Sequence, residues 1–129
     1  MKLIKKEGKL VVAPLGDLPE IRSPYSRDIL LFNTNIAGTV YIDDIEEIVE
    51  SFMEDEEFSF FREINNIHDE KAIVVKNKHD KKVGYIPKAD NIIFARLLDA
   101  GKLLFGRLKE HEVKGRWHKI NIDIYLRDN

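Results

Sequence analysis

The densest group of side chains that could do chemistry lies between residues 65 and 71. This segment holds the amide of Asn66, the imidazole of His68, the carboxylate of Asp69 and the ammonium of Lys71. A carboxylate accepts hydrogen bonds from hydroxyl groups, an imidazole offers a flat ring, and an ammonium donates to phosphate oxygens. Asn and Asp are also preferred in tight turns, because their side chains bond their own backbone. The segment is therefore either a simple turn or a binding loop.

A catalytic interpretation of these residues has little support. His68 beside Asp69 could act as an oriented base, but no serine or cysteine nucleophile follows in a recognisable context. The four histidines lack the spacing of a zinc site, and the chain has no cysteine. Most acids that could bind magnesium lie in one segment, where they fit helix capping and solvation. We therefore predict that the protein is not an enzyme and has no metal and no cofactor.

The charge of the chain is divided unevenly along the sequence. Residues 43–57 contain nine acids and no lysine or arginine, so the formal net charge of −2 leaves +7 for the rest of the chain. Proteins that coat phosphates usually carry a strongly basic surface, which the total charge does not indicate. A polyanion can still bind the basic remainder while the acidic segment faces away. The alternative is that both groups of charges are solvated surface.

Length and composition predict one domain with an N-terminal extension. A chain of 129 residues with 43% hydrophobic residues is long enough to bury one core. Residues 13–28 are rich in proline, glycine and serine, so we predict an arm over residues 1–28 and a domain over residues 29–129. No apolar run has the length of a signal or membrane-spanning segment. A cytoplasmic protein without membrane contact is expected.

The first half of the predicted domain combines strands and one helix. Residues 29–42 are rich in β-branched and aromatic residues, which predicts one or two strands with a bend at Gly38. Asp43 is positioned to cap a helix, with an acidic residue three positions later. The apolar residues that follow at helical spacing are Ile45, Ile48, Val49, Phe52 and Met53.

The second half predicts a meander, a helix and a hairpin. Strands are expected at residues 58–64, 72–75 and 83–86, followed by a helix over residues 90–100 that Gly101 ends. Strict alternation over residues 119–126 predicts a half-buried strand, paired with residues 103–113 through a turn at residues 114–116. The chain is thus expected to be an α+β, mainly β domain of five to seven strands and two short helices, built as a curled sheet or barrel.

Two motifs resemble the HIRAN domain family. Residues 62–73 read REINNIHDEKAI, where members typically read R-E-P-x-N-P-Y-D-x-N-A-I, and residues 83–87 read VGYIP. The spacing of the two motifs fits, as do Gly38 and Tyr41 upstream and the helix end at residues 97–101. The match spans residues 29–126. It implies an OB-like β-barrel that binds nucleic acid and captures the 3′ end of single-stranded DNA in DNA repair or processing.

The resemblance also implies roles for individual side chains. Asp69 would accept a hydrogen bond from the 3′-hydroxyl, and Lys71 would reach a phosphate. Asn66 would bond a base edge or a phosphate, although turn formation explains it equally well. The DNA-binding residues implied in this way are Asp69, Asn66, His68, Tyr41 and Lys71. Trp117 is a possible second stacking surface by its position near the last hairpin turn, and also a candidate partly buried anchor.

The chain departs from the family pattern in ways that bear on binding. Isoleucine replaces both motif prolines, which removes rigidity from the loop. Histidine replaces the stacking tyrosine, and an arginine that would contact phosphate before Tyr41 is absent. The residues at these positions, together with the one that replaces the motif asparagine, are Ile64, Ile67, His68, Val40 and Lys71.

A protein-interaction module is the alternative to a DNA-binding module. The same barrel would then present its acidic helix or a sheet edge to a protein partner and would not bind DNA. The missing arginine and the acidic total favour this alternative. The oligomeric state stays open, because no exposed apolar surface can be identified from the sequence.

Overall fold

The computed structural model describes residues 27–128, of which residues 29–127 form one compact unit. Most of the predicted arm, residues 1–26, lies outside the described residues. The elements in chain order are β1 (Arg27–Asn35), a 3₁₀ turn (Thr39–Tyr41), α1 (Ile45–Glu50), β2 (Glu57–Arg62), β3 (Ile73–Lys76), β4 (Lys82–Tyr85), α2 (Asn91–Asp99), β5 (Leu103–Lys114) and β6 (Trp117–Asp128). Among residues 27–128 no helix is long and apolar enough to cross a membrane.

The expected α+β, mainly β architecture is confirmed. Six strands form one curled sheet in the order β1-β6-β5-β2-β3-β4. Strands β2, β3 and β4 are the predicted antiparallel meander. Strands β5 and β6 form a long antiparallel hairpin whose two-residue turn, Gly115-Arg116, joins the paired residues Lys114 and Trp117. The predicted turn and the predicted pairing are therefore both correct.

The two outer strands of the sheet approach each other just after β1. The Ile36 backbone N–H donates to the Ile120 carbonyl on β6 at 2.9 Å. Ala37 and Tyr85, at the end of β4, exchange two backbone hydrogen bonds of 2.7 and 2.9 Å. A side chain at Gly84 would bring its Cβ to 2.4 Å from the Ala37 carbonyl oxygen, so this close approach requires glycine. We call the Ala37–Tyr85 bridge the seam.

The core lies inside the curl and is built from alternating strand residues. On β6 the side chains of Ile120, Ile122 and Ile124 are fully buried, as the alternation in the sequence predicts. On β2 Phe58 and Phe60 are buried between exposed neighbours. Burial of such large apolar side chains provides the main driving force for folding. The strand register is therefore fixed by which face of each strand is apolar.

The helix α1 is shorter than the sequence predicts. Asp44, not Asp43, occupies the N-cap position, and it makes no side-chain capping bond. The helix ends at Glu50 because both the N–H and the hydroxyl of Ser51 bond the Ile48 carbonyl. Met53, whose spacing predicts a place in the helix, consequently lies outside it and is 62% exposed.

The helix α2 ends as predicted. Gly101 has a left-handed φ of 86°, and its N–H donates to the Leu98 carbonyl at 2.9 Å. The N–H of Lys102 donates to the Leu97 carbonyl at 3.0 Å, which completes a Schellman motif. The start of α2 lies beside the loop between β2 and β3, where Asn91 is 2% exposed and donates a hydrogen bond to Asp69. The contact between these two segments forms part of the site described next.

Candidate functional site

The loop between β2 and β3 forms one wall of a surface pocket of about 320 Å³. The end of β4 forms the other wall, and both residues of the seam, Ala37 and Tyr85, line the pocket. The pocket is lined by Ala37, Asn66, His68, Asp69, Ala72, Tyr85, Ile86 and Lys88. Three of the five predicted DNA-binding residues, Asn66, His68 and Asp69, thus lie together at one concave surface.

The carboxylate of Asp69 is held in place from two sides. Its Oδ1 accepts the backbone N–H of Lys71 at 2.9 Å, and its Oδ2 accepts Nδ2 of Asn91 at 2.8 Å. These hydrogen bonds, with smaller contributions from Lys88 and Arg62, lower the pKa of Asp69 below its ordinary value. A carboxylate oxygen can accept more than one hydrogen bond, so both oxygens retain capacity for a further donor. Asp69 is half-buried and faces the pocket as an anion.

Asn66 organises the loop through its side-chain amide. Its Oδ1 accepts the backbone N–H groups of His68 at 2.8 Å and of Asp69 at 2.9 Å. Its Nδ2 donates to Oε1 of Glu63 at 2.8 Å. The turn-forming interpretation of Asn66 therefore describes most of its hydrogen bonds, and one amide N–H is left for a ligand.

Glu63 and Tyr85 connect the loop to β4. The Tyr85 hydroxyl donates to Oε1 of Glu63 at 2.7 Å and accepts from Nζ of Lys82 at 2.8 Å. Hydrogen bonds from Asn66 and Tyr85, and the nearby Lys82 charge, lower the pKa of Glu63. The Tyr85 side chain also lines the pocket. Strand β4 ends before Pro87, as expected for a residue that cannot extend the ladder.

Arg62, the first residue of the motif, ties the loop to β2 and α2 through its guanidinium. Its guanidinium donates to the carbonyls of Glu70 and Ala72, each at 3.1 Å, and pairs with Asp99 at 3.0 Å. These bonds hold the returning half of the loop against β2. The side chains at the two former proline positions, Ile64 and Ile67, are 66% and 90% exposed. The loop is thus held by hydrogen bonds and not by its apolar residues.

The other predicted site residues lie outside the pocket lining. Tyr41, at the end of the 3₁₀ turn, is 84% exposed and follows the lining residue Ala37 by four positions. Lys71 contributes its backbone N–H to Asp69, and its half-buried side chain does not line the pocket. Trp117 begins β6 and is 40% exposed. The hydroxyl of Thr39 donates to the His118 carbonyl at 2.9 Å, which brings the 3₁₀ turn with Tyr41 against the strand that carries Trp117.

Two residues of the site were not found from the sequence. Lys88 supplies the exposed cation of the pocket, and Asn91 fixes Asp69 from behind. Neither belongs to the polar cluster at residues 65–71, because both reach it only through the packing of β4 and α2 against the loop. Among the described residues, 27–128, no group of three or more histidine and acidic side chains is arranged to hold a metal ion.

Comparisons with known proteins agree with this architecture. The chain is similar to a protein from Lactobacillus plantarum solved by crystallography (TM-score 0.69, 24% identity, 81% of this chain and 99% of that one). It is also similar to the HIRAN domain of human HLTF in a crystal structure (TM-score 0.62, 17% identity, 78% of this chain and 79% of that one). A third similar structure is the HLTF HIRAN domain in its DNA-bound conformation, solved by NMR (TM-score 0.54, 18% identity, 76% of this chain and 78% of that one). No curated protein matches the sequence.

The family comparison covers most of the part that the structure describes. The family model for the HIRAN domain matches residues 29–127, which are also the residues of the compact unit. The two sequence motifs, residues 62–73 and 83–87, form the two walls of the pocket. The chain belongs to the HIRAN domain family.

Proposed function

We propose that this chain binds single-stranded DNA and receives a free 3′-hydroxyl end in the pocket beside Asp69. Two facts about relatives support DNA as the ligand: the chain is a HIRAN family member, and the similar HLTF HIRAN domain has a structure in a DNA-bound conformation. The observation that carries the proposal is the fixed, ionised carboxylate of Asp69, in a pocket that is also lined by the ammonium of Lys88 and the exposed imidazole of His68.

An ionised carboxylate distinguishes a hydroxyl end from a phosphate end. Asp69 accepts hydrogen bonds but cannot donate them, so a terminal hydroxyl is a suitable partner. A terminal phosphate would bring a second negative charge to the same oxygens and would be repelled. The lowered pKa of Asp69 keeps this preference at neutral pH and in mildly acidic solution. The preference for a hydroxyl therefore follows from charge and hydrogen-bond polarity.

The remaining pocket residues are proposed to bind the last nucleotide. His68 is exposed and offers a flat ring on which the terminal base can stack, as the family tyrosine would. Lys88, which lines the pocket, would contact the phosphate that precedes the last sugar. Lys71, whose side chain lies outside the pocket lining, would contact a phosphate further along the strand. Asn66 holds the loop and directs one amide N–H to the ligand. Tyr41 and, further away, Trp117 would extend the stacking surface beyond the pocket.

The test is a fluorescence-anisotropy titration of a short single strand with a 3′-hydroxyl against the same strand with a 3′-phosphate, at low and moderate salt. The wild-type protein should bind the hydroxyl end at least about tenfold more tightly, which corresponds to about 1.4 kcal/mol. The variant Asp69→Asn should lose most of this preference. Asp55→Asn is the matched control, because Asp55 is an exposed acid outside the pocket. An unchanged ratio of the hydroxyl-end and phosphate-end affinities in Asp69→Asn would refute the proposed mechanism.

A protein-interaction module is the second candidate, and one feature favours it. An apolar depression of about 430 Å³ lies between β1 and α2. Its lining includes Phe32 at 40%, Ile92 at 48% and Ile93 at 59% exposure. Exposed apolar surface of this kind marks protein contacts. If neither oligonucleotide binds at any salt concentration, binding of a protein partner becomes the better explanation of the function.

A further inference from the structure

The outer face of the meander carries two aromatic rings, each with a lysine ammonium nearby. Phe61 on β2 and Tyr85 on β4 both lie opposite Val74 on β3, so their side chains share one face of the sheet. Nζ of Lys76 lies 5.0 Å from the Phe61 ring centroid, and Nζ of Lys82 lies 4.4 Å from the Tyr85 ring centroid. Phe61 is 46% exposed, which is unusual for a phenylalanine in a sheet of this size. Tyr85 also lines the pocket beside Asp69.

The same pattern continues on the hairpin of β5 and β6. The rings of Phe105 and Tyr125 are stacked, with centroids 5.3 Å apart and planes 12° from parallel. The Arg107 guanidinium lies 5.1 Å from the Tyr125 centroid and 5.2 Å from the Phe105 centroid. The Arg127 guanidinium lies 4.1 Å from the Phe105 centroid. About 40% of each arginine side chain is exposed, so the guanidinium planes form the outer layer.

Ser59 shows that the two groups belong to one continuous surface. It lies opposite Lys76 on β3 and opposite Phe105 on β5. Directly opposed residues point to the same side of a sheet, and the intervening β2 residues Phe58 and Phe60 point into the core. The surface therefore runs from Tyr85 across five strands, or about 19 Å at about 4.8 Å per strand spacing. A depression of about 340 Å³ near Ser59 and Phe105 makes part of it concave.

The composition of this surface suits a single strand of nucleic acid. Cations contact phosphates, whereas exposed rings and guanidinium planes stack with bases of any sequence. Of the acidic residues 43–57, the surface includes Glu57, which pairs with Arg107 and Arg127 at 3.6 and 4.0 Å. At the edge of the surface, Asp80 pairs with Lys76 at 3.5 Å. These carboxylates hold the cations in position, and phosphates would compete with them.

We propose that single-stranded DNA leaving the pocket beside Asp69 continues over Tyr85 and Phe61 toward the guanidinium groups of Arg107 and Arg127, so that this outer face is a second, sequence-tolerant binding surface. Phe105 itself is buried, 7% exposed, so the guanidinium groups above it present the stacking planes at that end. The inference rests on the proposed function, because the pocket fixes where the strand begins. Tyr85 belongs to both surfaces and marks the point where the strand passes from one to the other. Strands longer than the pocket should then gain affinity from contacts that the last nucleotide does not make.

The test compares 3-nucleotide and 10-nucleotide strands of one base composition, each with a free 3′-hydroxyl, by anisotropy titration. The wild type should bind the longer strand about tenfold or more tightly. Arg127→Gln and Phe61→Ala should weaken the 10-nucleotide complex about five- to tenfold and leave the 3-nucleotide complex unchanged. Arg127→Gln should also reduce the slope of log affinity against log salt by about 0.7, the value for one lost phosphate contact on a single strand.

The matched control is Arg96→Gln, which removes the same charge from an exposed position on α2. It should change neither affinity nor salt slope for either strand. Melting curves of each variant show whether the fold is kept. Equal affinity of wild type for both strand lengths, or equal weakening of both complexes by Arg127→Gln and Phe61→Ala, would overturn the second surface while end capture stands. If 10-nucleotide strands bind equally with either 3′ group and still weaken in these variants, end capture fails and the second surface stands.

Discussion

The seam predicts a specific cost for the smallest possible side chain at Gly84. In Gly84→Ala the new Cβ would lie 2.4 Å from the Ala37 carbonyl oxygen and 2.6 Å from Cγ2 of Ile36. Ordinary contacts begin near 3.4 Å, so the two segments must separate by about 1 Å. The atom that blocks the methyl group is the backbone carbonyl oxygen of Ala37. It cannot move away unless the hydrogen-bonded segments of the seam move with it.

The loss of stability in Gly84→Ala can be estimated for two cases, in which the seam either stays closed or opens. If it stays closed, the overpacked methyl group costs about 1–3 kcal/mol. If it opens, the two hydrogen bonds between Ala37 and Tyr85 are lost, each worth about 1 kcal/mol. We therefore expect Gly84→Ala to lower the free energy of unfolding by about 2–3 kcal/mol. The melting temperature should fall by about 10 °C.

Urea unfolding of wild type, Gly84→Ala and Gly106→Ala measures this cost with a control. At Gly106 the nearest atoms to an added Cβ are the tips of the Phe60 and Ile122 side chains, at 2.9 and 3.2 Å. Side-chain tips can shift, so Gly106→Ala should cost only about 1 kcal/mol. The reasoning is refuted if Gly84→Ala costs less than about 0.5 kcal/mol, or no more than Gly106→Ala, at an unchanged denaturant slope.

Three further predictions concern the loop and a histidine pair. The folded-state pKa of Asp69 is lowered, so its contribution to stability is present above the ordinary pKa of about 3.9 and is lost as the pH falls through the folded value. The urea midpoints of wild type and Asp69→Asn should therefore converge from about pH 6 to pH 3. A constant difference between the two midpoints would contradict this. His111, whose Nε2 lies 3.1 Å from Nδ1 of His118, has its pKa lowered by burial and by His118. Because the unfolded chain binds this proton more readily, stability should fall as the pH drops below about 6.5, and His111→Gln should flatten that fall, whereas an unchanged pH profile would argue against it. Arg62→Met removes two hydrogen bonds to loop carbonyls and the ion pair with Asp99, so it should lower the free energy of unfolding by about 2–3 kcal/mol and speed hydrogen exchange of the loop amides. Unchanged protection of these amides would show that the loop does not depend on Arg62.

The parts of the fold that depend on local pattern could be predicted from the sequence. The alternation on β6, the hairpin turn and the glycine end of α2 are each encoded within a few residues. The end of α1 was missed because Ser51 competes for the Ile48 carbonyl, which the apolar spacing through Met53 conceals. The N-cap lies one residue later than predicted, since two aspartates are adjacent and the sequence does not distinguish between them; Asp44 makes no side-chain capping bond.

The site could be predicted only where its residues are neighbours in sequence. Asn66, His68 and Asp69 come from one loop, so the motif located them together. Lys88 and Asn91 reach the pocket because β4 and α2 pack beside that loop, and no spacing in the sequence indicates such a contact. The outer face was not predicted for the same reason, since its members come from five strands and the sequence does not show which strands are neighbours in the sheet.

The exposed tip of the loop offers a position for a spectroscopic reporter. Ile67 is 90% exposed and stands next to His68, while the hydrogen bonds that shape the loop involve other residues. The natural chain contains no cysteine, so Ile67→Cys would introduce a single thiol for a fluorophore or spin label. Such a label would sense occupancy of the pocket directly, without a modified oligonucleotide, and unlabelled ligands of any kind could then be ranked in one assay.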